Sequence, residues 1–173
     1  MDVMERTRAA CDQLRAVHLP RWNELPDIDL YMDQVLVLMA KYMQGIAAEE
    51  DKLLTASMVN NYVKMGLVPA PVKKRYSRSH LARLVIICVM KQVVPMAMIR
   101  NFIERGLEEY SEQQLLDMAA DYYDHAAEAT AERAMERAAA QKEGGAGLNI
   151  LAASAAIRSQ IELSLSEKLS AAE

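Results

Sequence analysis

Only five prolines and six glycines interrupt this chain of 173 residues, and their positions decide what it can fold into. Pro20 and Pro26 bracket one short segment, Pro69 and Pro71 another, and Pro95 stands alone, while Gly45, Gly66, Gly106 and the GGAG run at 144–147 close apolar stretches. Proline removes a helical donor and glycine releases the backbone, so these positions divide the chain into short units. The intervening segments are rich in Ala, Leu, Met, Glu and Lys, which favours an all-α fold.

Reading between the breaks gives a helix over 1–17, a rigid segment LPRWNELPDID, and a helix over 30–43 that is apolar on nearly every side and therefore central. Asp27 or Asp29 is expected to cap it, with Gly45 as its stop. Beyond the acidic loop AAEED, Thr55 caps a helix over 56–65 that ends at Gly66. Met58, Tyr62 and Met65 share one stripe of that helix, and Ser57, Asn60, Asn61 and Lys64 share another. Residues 67–76 cannot be helical past two prolines and read as a short basic loop or hairpin. Ser77 caps a helix over 78–91, where the β-branched run LVIICVM leaves a buried strand as the competitor. Pro95 opens the next helix, ending at Gly106, and Ser111 with Gln114 forms a capping box for a long Ala-rich helix to about 141. A last helix spans about 148–169. The chain thus divides into an N-terminal helical extension over 1–18, a central domain over 19–107 and a C-terminal helical region over 108–173.

Charge is segregated along this layout. The chain carries 20 Lys+Arg and 24 Asp+Glu, yet residues 52–103 hold nine of the basic residues and no acidic one. An island of one sign focuses potential toward polyanions, which points to nucleic acid. A short helix with a polar face, then a basic loop and a further helix, is the layout of a winged helix-turn-helix. On that reading Asn60 or Asn61 pairs with an adenine edge, and Thr55 or Ser57 bonds a base or a phosphate. Lys64, Lys73, Lys74, Arg75 and Arg78 then neutralise phosphates, with Arg78 beside the free amides of the helix that Ser77 caps.

The string Tyr62-Val63-Lys64-Met65-Gly66-Leu67-Val68-Pro69, followed by Lys74-Arg75-Tyr76-Ser77 and then Leu81 to Ile87, resembles the DNA-binding domain of MerR-type regulators. More closely, LPRWNELPDIDLYMDQV with MVNNYVKMGLVPAPVKKRYSR resembles a bacterial family of domains of unknown function, numbered 1836, over residues 19–105. The MerR-type resemblance implies a winged helix-turn-helix with additional C-terminal helices, contacts to double-stranded DNA over residues 55–80 with Tyr76 closing the wing, and a homodimer formed through the C-terminal helices. One departure is Asn60, which stands where the MerR-type pattern usually has arginine. A helical protein–protein interaction module that keeps the fold without binding DNA is the alternative.

Other chemistry is not advertised. His18, His80 and His125 are dispersed and lack metal-ligand spacing, and no cofactor motif, nucleophile elbow or phosphate-cradling glycine loop occurs, so neither a metal site nor an enzyme is expected. Tyr62 reads as core packing with its hydroxyl at the rim. A charged N-terminus without an apolar stretch, apolar runs too short to span a bilayer, and isolated Cys11 and Cys88 suit a soluble cytoplasmic protein that is not in a membrane.

Overall fold

The computed structural model describes residues 2–46, 54–140 and 147–171. The expected acidic loop at 47–51 and the glycines at 144 and 145 lie outside them. Among the described residues the protein is mostly helical, with seven α-helices and one two-stranded sheet, and it divides into two compact units: residues 17–124, and residues 1–16 together with 125–173.

In the unit of residues 17–124, a 3-10 turn over Trp22–Glu24 precedes strand β1 (Leu30–Tyr31) and helix α2 (Met32–Tyr42), and after the undescribed segment come α3 (Ala56–Lys64), β2 (Arg75–Tyr76), α4 (Arg78–Met90), α5 (Met96–Glu109) and the first part of α6 (Glu112–Ala140). The central helix is α4, which buries His80, Leu81, Ala82 and the whole run from Leu84 to Cys88. Burial on every side explains its continuous apolar sequence and settles the LVIICVM run as helix. Burial also pushes the Cys88 thiol up to about 11, so that sulfur is an inert core group. Helix α2, expected to be central, instead buries one stripe, Val35, Met39 and Met43, and leaves Val37 74% exposed.

Two further expectations are corrected. Neither Asp27 nor Asp29 caps α2, because Leu30 and Tyr31 are drawn into an antiparallel pairing with Tyr76 and Arg75. The first turn begins at Met32 instead, with Gln34 Oε1 accepting from the Tyr31 N–H at 2.9 Å. Gly106 does not end α5, which continues to Glu109. A Cβ there would stand 2.8 Å from a Leu115 methyl, so the glycine lets α6 close on α5 rather than stopping a helix. The remaining signals at helix starts are realised: Thr55 Oγ1 accepts from Met58 N, and Ser111 and Gln114 cap α6 reciprocally.

Two charge-assisted clusters hold this unit. Arg21 reaches the Asp117 carbonyl at 3.0 Å, Asp124 at 2.6 Å and also Asp121, while the Trp22 N–H donates to Asp117 at 2.8 Å. Arg83 bonds Glu112 through Nε and Nη2, each at 2.7 Å, and Ser79 Oγ donates to the same carboxylate. In the other unit, α1 (Val3–Arg15), the remainder of α6 and α7 (Gly147–Ala171) pack together, with Thr7, Cys11, Ala127, Ala131 and Ala138 buried. Arg15 pairs with Glu128 at 2.7 Å.

Candidate nucleic-acid interface

Helix α3 is short, and its two faces differ. Val59 and Tyr62 are buried and anchor it, while Ser57, Asn60, Asn61 and Lys64 are exposed and, with Met58, line one open depression. The helix ends because Gly66 turns left-handed at φ +74° and the Leu67 and Val68 amides both return to the Tyr62 carbonyl. That turn, followed by the buried Leu67 and Val68, leads the chain from α3 into the basic loop.

The loop is a tight hairpin. Val72 and Arg75 exchange two backbone hydrogen bonds, at 2.9 and 3.1 Å, leaving Lys73 and Lys74 as the only residues between them. Both lysines have positive φ, 49° and 62°, the requirement of a type I′ turn. A left-handed residue bearing a Cβ costs roughly 1–2 kcal/mol, and Asn-Gly is the pair that normally avoids this cost. Two lysines therefore occupy the tip against their backbone preference.

The return strand is fixed from behind. Arg75 lies over the Tyr31 ring, 4.9 Å from its centroid, and donates to the Tyr31 hydroxyl at 3.0 Å. This orients the guanidinium without neutralising it, and β1–β2 pairing ties the hairpin to the start of α2. Tyr31 lies 44 positions before Arg75 in the chain and carried no sequence signal; only the strand pairing joins them.

The sequence-derived site residues separate into distinct environments. Ser57, Asn60, Asn61, Lys64, Lys73, Lys74 and Arg75 face solvent. Lys64, Lys73 and Lys74 make no ion pair among the described residues, and Asn60 makes no hydrogen bond there, whereas Asn61 leans back toward Met65 Sδ at 3.5 Å. Thr55 is half-buried and its oxygen serves the α3 cap. Arg78 is half-buried, stacked 5.6 Å from the Trp22 ring centroid and paired with Asp27 at 3.2 Å. Tyr76 is in the core, 3% exposed, edge-on to His80. Burial raises the phenol pKa of both Tyr62 and Tyr76, so each remains neutral and acts as packing.

The island's charge is thus divided. Arg78 and Arg83 are tied to the carboxylates of Asp27 and Glu112, and Arg100 to Glu104, all supplied from outside the acid-free segment. Lys64, Lys73, Lys74 and Arg75 keep their charge available at the surface.

A mostly helical unit with a small sheet and an outward cationic hairpin is the class these features define. The chain belongs to the family described as "Domain of unknown function (DUF1836)", which matches residues 20–126 and so covers nearly all of the 17–124 unit. No curated protein and no solved structure matches it. Among the described residues, no helix is long and apolar enough to cross a membrane.

Proposed function

We propose that the protein is a DNA-binding transcriptional regulator with a MerR-like winged helix-turn-helix, in which α3 enters the major groove and the hairpin rests on the phosphate backbone. The observation that supports this most strongly is the tip itself: two lysines without ion-pair partners among the described residues, held in a turn that disfavours them, in the loop that follows a helix whose outer face is Ser57, Asn60, Asn61 and Lys64. Strain retained at an exposed position fits a functional requirement for those side chains. Asn60, whose side-chain amide makes no hydrogen bond among the described residues, is the base-reading residue, and the cations hold register.

Titrating a labelled mixed-sequence duplex with the protein at several salt concentrations tests the reading. Binding should weaken with a log-log slope of about −0.9 per neutralised phosphate. Salt-independent binding, or none at low salt, would count against it. Asn60→Ala should reduce preference among sequences more than general affinity, and equal loss across unrelated duplexes would remove its reading role.

The tip offers a sharper test. Lys73→Asn with Lys74→Gly should raise stability by about 1–2 kcal/mol by relieving the turn, yet weaken duplex binding about tenfold and lower the salt slope by about 2. Unchanged affinity in that more stable variant would show that the lysines are not phosphate contacts.

A homodimer through the C-terminal helices belongs to the same proposal. Helix α7 leaves Ile157, Ile161, Leu165 and Leu169 more than half exposed at successive i+4 positions, an apolar stripe of the kind that helix pairing covers. Sedimentation should give a dimer that Ile157→Glu with Ile161→Glu converts to monomer; a wild-type monomer at micromolar concentration would refute it. The alternative, a protein-interaction module without DNA binding, draws on the exposed Ile28, Val37 and Val72 of the same unit. A partner held there would bind with little salt dependence.

A further inference from the structure

Away from the α3 and hairpin surface, we infer that the facing walls of α6 and α7 form a binding site for a phosphate-bearing small molecule. Thr130, Arg133, Ala134 and Arg137 stand at i, i+3, i+4 and i+7 on α6, and Leu151, Ser154, Ala155, Arg158, Ser159 and Glu162 stand at helical spacing on α7. Together they line an open cleft of about 260 Å3. Helix–helix seams are ordinarily filled by apolar side chains, but this one places three guanidiniums against a single carboxylate.

The arginines are held ready rather than satisfied. Arg137 donates to Ser154 Oγ at 2.7 Å, and Ser154 spends its own proton on the Leu151 carbonyl at 2.9 Å, so the serine is fixed as an acceptor that positions the guanidinium. Among the described residues Arg133 reaches only Thr130 Oγ1, at 3.4 Å, and its Nε is buried without an acceptor there. Neither Arg133, Arg137 nor Arg158 forms an ion pair among the described residues. A buried donor without a partner is costly, and a group of guanidiniums matches the several oxygens of a phosphate better than one carboxylate does. The hydroxyls of Thr130 and Ser159 add neutral donors, and the cleft is of a size that admits a phosphate with a compact body.

Thermal denaturation of the full chain in inorganic phosphate, against chloride at the same ionic strength, tests this independently of the DNA reading. Wild type should gain a saturable increase in Tm, and so should a variant with Lys73, Lys74 and Arg75 replaced by Glu. Arg133→Met should be more stable than wild type without phosphate, because the orphaned donor is gone, and should lose the phosphate-specific increase. Arg158→Gln should weaken the phosphate response about tenfold, the usual scale for one charge-assisted pair, and decides the matter alone if Arg133→Met fails to fold. Equal phosphate responses in wild type and Arg158→Gln would overturn the site, leaving only general salting effects. Loss of the response in the hairpin variant alone would move phosphate to the DNA face. Loss of duplex affinity in Arg158→Gln without a phosphate effect would make the cleft a nucleic-acid contact instead.

Discussion

Replacing Lys73, Lys74 and Arg75 together with Glu is expected to abolish duplex binding while leaving the protein folded. Each change removes a cation from the surface and sets a carboxylate in its place, so three attractions to phosphate become three repulsions. The salt slope should fall by about 2.7, and affinity at low salt by at least about a hundredfold. The fold should survive because Lys73 and Lys74 have no ion-pair partners among the described residues, and Arg75 gives up only its contacts with Tyr31. Loss of an exposed cation–π contact costs about 0.5–1 kcal/mol. Circular dichroism and a melting curve separate loss of binding from loss of structure. Wild-type affinity in a folded triple variant would remove the hairpin from the DNA surface.

The second large effect lies in the core of the same unit. Glu112→Ala should destabilise the protein by about 2–3 kcal/mol, because it leaves Arg83 desolvated with its principal partner gone. For a chain of this length, that corresponds to a fall in Tm of roughly 5–10 °C. Both side chains are about one-fifth exposed, so solvent screens the pair only partly. Adding Arg83→Met should recover much of the loss, since an apolar replacement carries no unpaired charge. A single variant as stable as wild type would mean that water compensates Arg83 fully.

Much of this architecture was legible in the sequence, for identifiable reasons. The α3 segment was readable because Thr55, the two stripes and Gly66 are local signals, and α3 duly runs from Ala56 to Lys64. Its buried anchor Val59 was missed because the expected apolar stripe followed the larger Met58 and Met65, which are only half-buried. Helix α2 was misjudged as central because apolar residues alone do not say which face finds a neighbour; its exposed Val37 is the counterexample. The β1–β2 pair was invisible because each strand has two residues, too few to show alternation, and their partnership is non-local. Gly106 misled because a glycine required for close packing looks the same in sequence as one that ends a helix.

At the candidate site, the outward polar set of α3 and the basic character of the hairpin were readable from spacing and charge. What could not be read was how each cation is occupied. Arg78 and Lys74 are equivalent in composition, yet one is committed to Trp22 and Asp27 and the other is left at a turn tip. The buttress from Tyr31 to Arg75 depended on the same unseen strand pairing.

The clusters at Arg21 and Arg83 also define how much chain must be kept together. A fragment cut after residue 107 would retain both arginines but lose Glu112, Asp121 and Asp124, whose carboxylates pair with the two guanidiniums, and Asp117, whose carbonyl takes Arg21 and whose carboxylate takes the Trp22 N–H. A piece that keeps both clusters therefore extends into α6 as far as Asp124, close to residue 126, where the family match ends. The family match, over residues 20–126, likewise takes in the opening turns of the long helix together with the hairpin, so any exchange of the tail that preserves both clusters must join beyond Asp124.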